Sequence, residues 1–229
     1  MKKVLVVASH PDDEVLGCGG TMARLVSEGV HVKILIAAEG LTSRQTKRDA
    51  KELETELQEL RNVSYEANKK LGVTDVEFLA LPDNRMDSMD LLDVIKVIEE
   101  KVMAFKPDTI FTHFPNDLNI DHRILSEAVL TSTRPMPGTT VKEIYFFEVT
   151  SSTEWNFSGS PSKSFSPSVF FDISNYLEKK IEALTIYKGE MREFPHARSI
   201  QNIRNQAGFR GGSVGFHAAE AFMLARKLV

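Results

Sequence analysis

The sequence has a single cysteine, no long apolar run and little net charge, and each scarcity excludes a class of protein. With Cys18 alone, an internal disulfide framework is impossible, which fits a reducing cytosol and predicts a cytoplasmic protein. No apolar run approaches the roughly 20 residues of a membrane span. The run at residues 4–8 is too short, and too soon followed by polar residues, to be a signal peptide.

The formal net charge of −4 argues against a general nucleic-acid-binding protein. The charge is unevenly distributed, because residues 188–229 carry seven Lys or Arg and three Asp or Glu side chains. This basic C-terminal segment either contacts an anionic substrate, or it forms a solvated surface or a contact with another subunit.

A chain of 229 residues, 42% of them hydrophobic, suits one domain over residues 1–229 with a substantial core. Strand and helix signals alternate, which predicts an α/β fold with a mostly parallel sheet and helices on both faces. The predicted strands are residues 4–8, 32–38, 76–81 and 109–112, with 143–149 and 168–173 as further candidates. The predicted helices are residues 15–27, a long helix opened by a capping box at 42–45, and then 88–105, 122–133 and 176–187. Beyond residue 189 the pattern is irregular until residues 218–228.

Two clusters of histidine and carboxylate residues follow two of these strands. His-Pro-Asp-Asp-Glu at residues 10–14 comes directly after the first strand, and His113, Asp117, Asp121 and His122 follow the fourth. Ligands bind at this edge of open α/β sheets, and burying so many polar groups there is costly unless a cation or a substrate uses them. Two clusters behind separate strands can converge on one metal, so they predict a zinc-dependent hydrolase.

The spacing within the clusters suggests a role for each residue. His10 and Asp13 are three residues apart and point to one side if the chain turns helical after the proline. His122 opens a later helix and can supply the third protein ligand that a catalytic zinc site needs beside a water. Asp12 lies between two ligands and can take a proton from that water. Asp121 is a natural N-cap for its helix.

The motif at residues 10–14 and Asn-Ile-Asp-His at residues 119–122 resemble those of the LmbE-like (PIG-L type) metal-dependent N-deacetylases. The similarity covers the whole chain, including its ending at residues 210–213 and 219–222. The resemblance implies a Rossmann-like sheet that holds zinc, or another divalent metal such as Fe²⁺. It implies a small amino-sugar substrate, such as an N-acetylglucosamine conjugate, that loses its acetyl group, and a homo-oligomer. The implied site residues are the zinc ligands His10, Asp13 and His122, the general base Asp12 and the orienting residue Asp121.

One position departs from the family pattern. Many members carry a histidine two residues before the Asp-His pair, where this chain has Asn119, which cannot donate a proton as an acid. The Asn119 amide can still hydrogen-bond an oxyanion. The proton for the leaving amine then comes from Asp12 or from one of the histidines His113, His196 and His217.

Candidate substrate contacts follow the second and third strands and lie in the basic C-terminal segment. A carboxylate there would bind sugar hydroxyls, and the arginines would bind an attached phosphate or nucleotide-sugar group, unless these residues pair with one another. The loop at residues 151–168 is either a flap beside the site or a packed surface excursion. The candidate contacts are Arg44, Asp83, Arg85, His196, Arg198 and Arg210.

Three other functions are compatible with parts of the pattern. The first is an amidase that cleaves a larger acyl or thiol-sugar conjugate, and the second is a family member that binds metal or sugar without turnover. The third is a nucleotide-binding module, but residues 17–20 lack the G-x-G-x-x-G spacing and follow carboxylates that would repel a phosphate. Cys18 is interpreted as a small packed side chain inside a helix rather than as a nucleophile.

Overall fold

Seven strands and six α-helices follow one another in a computed structural model that describes residues 1–157 and 164–229. The strands are β1 (Lys3–Ala8), β2 (His31–Ala38), β3 (Asp75–Leu81), β4 (Thr109–His113), β5 (Glu143–Phe147), β6 (Val169–Asp172) and β7 (Ala219–Lys227). The helices are α1 (Asp13–Ser27), α2 (Glu54–Lys70), α3 (Leu91–Phe105), α4 (Ile120–Ser132), α5 (Leu177–Ile186) and α6 (Ile200–Gly212).

The strands form one sheet in the order β3-β2-β1-β4-β5-β7-β6. The first five strands in this order are parallel to one another, and β7 pairs antiparallel with both β5 and β6. The predicted α/β class with a mostly parallel sheet is confirmed. Because β1 and β4 are parallel neighbours, the chain segments that follow them leave the sheet at the same edge.

The two faces of the sheet each have a hydrophobic core, as the alternation of β1 shows. Val4 and Val6 pack in one cluster with residues of α1, α2 and α5, whereas Leu5 and Val7 pack in another with residues of α3 and α4. Side chains alternate between the faces of a strand, and both faces of β1 are covered, so its sequence is apolar throughout. Helices therefore lie on both faces, as predicted.

The capping box predicted at residues 42–45 does not open a helix. Residues Thr42–Arg44 form a short 3-10 turn, and α2 begins only at Glu54. The reason is that the Thr42 hydroxyl donates to Glu39 Oε1 at 2.5 Å, so its side chain does not cap a helix.

The irregular stretch after residue 189 contains a helix that the sequence pattern did not predict. Ser199 caps α6, because its Oγ accepts the Asn202 N–H at 3.1 Å. The helix buries only Ile203, Ala207 and Gly211, so its apolar periodicity is too weak to be detected in the sequence.

The loop predicted at residues 151–168 is only partly within the described residues, because residues 158–163 lie outside them. Ser152 and Thr153 donate to Asp117, and Phe165 packs edge-to-face on Phe114 at 5.5 Å between ring centroids. The assignment of residues 1–229 to a single domain stays a prediction. None of the helices in residues 1–157 and 164–229 combines the length and apolar character of a membrane crossing.

Candidate functional site

The two polar clusters meet at the carboxyl edge of β1 and β4. His10, Asp13 and His122 each offer one ligand atom, and these three atoms all lie within 4.8 Å of one another. Asp13 Oδ2 lies 3.1 Å from His10 Nδ1 and 3.1 Å from His122 Nε2. Asp13 and His122 are buried, and the His10 side chain is 13% exposed. The structure thus brings together all three residues predicted as metal ligands.

Unsatisfied polar atoms in this group fit a bound cation. Asp13 Oδ1 is buried and has no hydrogen-bond partner among the described residues. His122 Nε2 is also buried, and within residues 1–157 and 164–229 it makes no well-aligned hydrogen bond. Buried polar atoms in native proteins nearly always have a partner, so these two atoms are suited to binding a cation. Imidazole nitrogen and carboxylate oxygen are donors that zinc accepts, and a catalytic zinc needs three of them.

The second ring nitrogen of each histidine faces carboxylates. His10 Nε2 lies 3.1 Å from Asp121 Oδ2 and 3.2 Å from Asp83 Oδ1. His122 Nδ1 lies 3.1 Å from Asp117 Oδ1. Carboxylates in this position fix the tautomer and orientation of a ligating imidazole.

These contacts involve residues for which the sequence predicted another role or none. Asp83, predicted as a sugar contact, lines the cleft that reaches His10, and its carboxylate also contacts His10 and accepts the Ser43 N–H at 2.9 Å, so its role in substrate binding stays a prediction. Asp117 had been counted in the second cluster without a role, and the signal that could have identified it is its position between β4 and α4. Asp121 Oδ2 lies 3.1 Å from His10 Nε2, and its role as an orienting residue stays a prediction.

The charges of the buried groups depend on one another. Burial lowers the pKa of His122, but the carboxylates of Asp13 and Asp117 outweigh burial and raise it to about 9. Burial raises the pKa of Asp117, but hydrogen bonds and charge from His122 prevail and lower it to about 2. In the protein without metal, His122 and Asp117 therefore form an ion pair at neutral pH.

Asp12 lies beside the three ligands and has a strained backbone with φ of 119°. Its N–H donates to Glu14 Oε2 at 3.0 Å, and Asp12 Oδ2 accepts from Arg198 Nη1 at 2.6 Å. Burial raises the pKa of Asp12 well above its usual value, although the Arg198 charge opposes this, and the nearby charges of Asp13 and Glu190 add to the rise. A carboxylate with a raised pKa is better suited to accept a proton from water.

Asn119, rather than Asp121, is the N-cap of α4. Asn119 Oδ1 accepts from Asp121 N at 2.8 Å and from His122 N at 3.4 Å. The expectation that Asp121 caps the helix is wrong, because Asp121 lies within the first turn and its side chain accepts from Asn84 N and Met86 N instead. The Asn119 amide nitrogen donates to Asn84 Oδ1 at 2.7 Å.

None of the three histidines considered as proton donors is well placed for that role. His113 is buried, its Nε2 accepts the Ser9 N–H at 2.8 Å, and burial together with His122 lowers its pKa well below the usual value. His196 Nδ1 accepts the Arg198 N–H at 3.0 Å, and its ring packs against Trp155. His217 is exposed and does not line the cleft that reaches His10.

An open cleft of about 130 Å³ reaches His10 and Asp12, beside the ligand group of His10, Asp13 and His122. Arg44 and Arg198 line it, as predicted for substrate contacts, and both lie near Glu190, a residue that sequence reasoning did not single out. Arg44 Nη2 donates to Glu190 Oε1 at 2.6 Å, and the Arg44 side chain is 58% exposed. The cleft therefore presents both signs of charge to a substrate.

Two predicted substrate contacts lie elsewhere. Arg210 forms a two-pronged pair with Glu148 at 2.8 and 2.7 Å and lines a separate cavity. Arg85 Nη2 donates to Gln45 O at 3.1 Å and does not line the cleft. Both arginines contact neighbouring protein groups, and their assignment as substrate contacts stays a prediction.

Similar proteins share this fold and, in part, this sequence. The probable N-acetyl-alpha-D-glucosaminyl L-malate deacetylase 2 of Bacillus cereus is 26% identical over 86% of this chain and 89% of its own length. The N,N'-diacetylchitobiose deacetylase of Pyrococcus horikoshii superposes with a TM-score of 0.76 and 21% identity, over 98% of this chain and 84% of that one.

A different enzyme class has the same architecture. The 4-carboxy-2-hydroxymuconate hydratase GalB from Pseudomonas putida has a TM-score of 0.75 and 21% identity, over 100% of this chain and 98% of that one. The fold by itself therefore does not determine the reaction. The family model described as PIG-L: GlcNAc-PI de-N-acetylase matches residues 5–133, more than half of the sequence and both polar clusters. The chain belongs to the PIG-L family of de-N-acetylases, as its two motifs implied.

Proposed function

We propose that this protein is a metal-dependent hydrolase that removes the N-acetyl group from an amino-sugar derivative related to N-acetylglucosamine. The observation that carries the proposal is the group His10, Asp13 and His122, whose ligand atoms lie within 4.8 Å of one another and which includes unsatisfied buried atoms of Asp13 and His122. Membership of a de-N-acetylase family supports the reaction type. Zinc fits the donor set, and another divalent metal such as Fe²⁺ is compatible with it.

The chain's own residues have separate tasks in this reaction. When bound by His10, Asp13 and His122, the metal supplies Lewis acidity and lowers the pKa of a water. Asp12 takes one proton from the attacking water as its oxygen adds to the amide carbonyl carbon. The C–N bond then breaks, and Asp12 returns the proton to the leaving nitrogen, since the three candidate histidines lack a suitable position. The products are acetic acid and the free amine, which at neutral pH exchange a proton to give acetate and the ammonium form.

The substrate is an amino-sugar conjugate whose second group lies toward Arg44. Arg44 lines the cleft and its side chain is 58% exposed, so an anionic or nucleotide-linked conjugate is preferred over a neutral one. The Bacillus cereus relative, whose name includes a malate conjugate, supports an anionic group. A cytoplasmic location, a homo-oligomer and the lack of nucleic-acid binding stay predictions from the sequence.

The first experiment measures metal per chain in protein purified without added metal. We expect about one tightly held divalent ion in the wild type, loss of that ion in His122→Ala, and no loss in the matched control His31→Ala. His31 is a half-exposed histidine on β2 that pairs with Asp75, away from the ligand group. A wild type that binds no metal even after zinc is added back would contradict the proposal.

The second experiment measures acetate release from four compounds. They are N-acetylglucosamine, N,N'-diacetylchitobiose, N-acetylglucosaminyl malate and UDP-N-acetylglucosamine, which differ in the charge and size of the second group. We expect a higher kcat/KM for the two anionic conjugates. Metal-loaded protein that releases acetate from none of them would favour an amidase of larger conjugates or a binding protein without turnover.

A further inference from the structure

We propose that Arg198 is a catalytic residue that donates a hydrogen bond to the carbonyl oxygen as that oxygen becomes negatively charged. The inference rests on the proposed deacetylase function. Addition of water forms a C–O bond, moves the carbonyl π electrons onto oxygen and transfers one proton to Asp12. A donor that is already in place for this charge is among the largest contributions to such reactions.

Apart from His10, the other side-chain donors that line the cleft are neutral or more exposed than Arg198. Asn119 uses its amide oxygen to cap α4 and its amide nitrogen to donate to Asn84. The Asn84 amide nitrogen donates in turn to Asp83 Oδ1 at 3.0 Å. Arg44 is 58% exposed, and its guanidinium pairs with Glu190. A strongly hydrated cation stabilises a developing charge less than a shielded one does.

The Arg198 side chain is shielded from solvent, is held by two hydrogen bonds and has a further donor nitrogen for the substrate. Its side chain is 21% exposed, its Nε donates to Ser151 Oγ at 2.7 Å, and its Nη1 donates to Asp12 Oδ2 at 2.6 Å. Two anchors fix the plane of the guanidinium. Its Nη2 makes no hydrogen bond to any residue that the structure describes, so it is available to the substrate. The cation is thus held next to the base that activates the attacking water.

Two other roles for Arg198 would give different results. Arg198 would be a positioning residue if it acted only by orienting the Asp12 carboxylate. It would be a binding residue if it contacted an anionic group of the unreacted substrate. The three roles differ in their effects on kcat, on KM and on the binding of a tetrahedral anion.

The test uses Arg198→Ala and Arg198→Lys in the metal-loaded enzyme, with the compound that the wild type hydrolyses fastest. We expect Arg198→Ala to lower kcat by about 10²–10³-fold with little change in KM. Arg198→Lys keeps the charge but lacks the forked donor, so an intermediate kcat is expected. Added guanidinium should partly restore kcat in Arg198→Ala. The control is Arg204→Ala, which removes an exposed arginine of α6 paired with Glu178 and should leave kcat unchanged.

A binding measurement separates direct contact from action through Asp12. The probe is the methylphosphonamide analogue of the substrate, a tetrahedral anion, titrated into Asp12→Asn and into the double variant Asp12→Asn/Arg198→Ala. Direct contact predicts that the double variant binds the analogue about tenfold more weakly. Equal binding, or a raised KM with an unchanged kcat in Arg198→Ala, would overturn the inference. A wild type that releases no acetate would instead refute the proposed function, so the two failures are distinguishable.

Discussion

At the scale of single residues, Asp12, the carboxylate proposed as the general base, depends on a buried group that holds its strained backbone. A non-glycine residue with φ of 119°, such as Asp12, is unfavourable unless its surroundings fix it. Glu14 Oε2 accepts the Asp12 N–H, while Glu14 Oε1 accepts from Asn68 Nδ2 and Tyr187 Oη, each at 2.7 Å. These contacts tie the start of α1 to α2 and to the end of α5, so Asp12 is positioned by the packing of three helices.

Replacing Asp12 by asparagine should separate proton transfer from metal binding. Asp12 is outside the ligand group, so Asp12→Asn should retain its metal and lose about 10²–10⁴-fold in kcat. The comparison variant Asp13→Asn changes a ligand, so it should lose metal and activity together. Metal content and acetate release are measured on the same preparations. Full activity in Asp12→Asn would refute its assignment as the base.

The sequence could predict that His10, Asp13 and His122 come together, but not the residues that complete the candidate site. His10, Asp13 and His122 follow two parallel strands that prove to be neighbours, and such strands end at one sheet edge. Arg198 reaches Asp12 from 186 positions away, and it comes from a segment without periodic apolar residues. A contact of that kind depends on tertiary packing, which a single sequence does not encode in any local pattern.

At the scale of elements, α1 is broken by a kink at Cys18, whose φ is −146°. Cys18 is buried inside α1, as predicted, but its own backbone conformation is not helical. A kink frees backbone groups that must find partners. Lys180 Nζ donates to Leu16 O at 2.8 Å, and Glu220 accepts from Gly20 N and Thr21 N at 2.9 and 2.6 Å.

The buried pair of Lys180 and Glu220 should be sensitive to the loss of one partner. Their side chains are only 4% and 5% exposed, and Lys180 Nζ lies 2.6 Å from Glu220 Oε1. Lys180→Met leaves a buried carboxylate unpaired and should lower the free energy of unfolding by about 3–5 kcal/mol. Urea unfolding of the metal-free protein measures this.

The matched double variant Lys180→Met/Glu220→Gln removes both charges and should recover part of that loss. Arg204→Ala breaks an exposed ion pair and should change the urea midpoint little. A Lys180→Met protein as stable as the wild type would show that Glu220 is satisfied by its two backbone donors alone.

The boundaries of an element could be predicted where it buries one apolar face. The prediction failed where the hydrogen bonds of polar side chains determine the boundary. The predicted helix at 176–187 corresponds to α5 at Leu177–Ile186, because its buried residues repeat with helical spacing. The capping box failed because a single hydroxyl, that of Thr42, donates to Glu39 instead of accepting from the backbone. The local sequence contains both possible partners of the Thr42 hydroxyl, and the tertiary structure determines which of them it contacts.

At the scale of the whole molecule, the candidate site should make the free energy of unfolding depend on pH, and bound metal should abolish this dependence. In the metal-free protein, burial lowers the pKa of His122, but Asp13 and Asp117 prevail and raise it to about 9 from 6.5. A folded-state pKa above the unfolded value means that the protonated histidine stabilises the fold. This stabilisation is complete below pH 6.5 and is lost as the pH rises through about 9.

The expected loss is about 3 kcal/mol of the unfolding free energy between these pH values, at 1.36 kcal/mol per unit of pKa shift. A metal requires the neutral imidazole, so the metal-loaded protein binds no proton at His122 and should not show this loss. Denaturant unfolding from pH 6 to 10, with and without zinc, makes the comparison. Asp117→Asn removes one of the two raising carboxylates, so its metal-free protein should show a smaller loss. Identical curves with and without zinc would mean that His122 does not exchange a proton for a metal, and the ligand assignment would then fail.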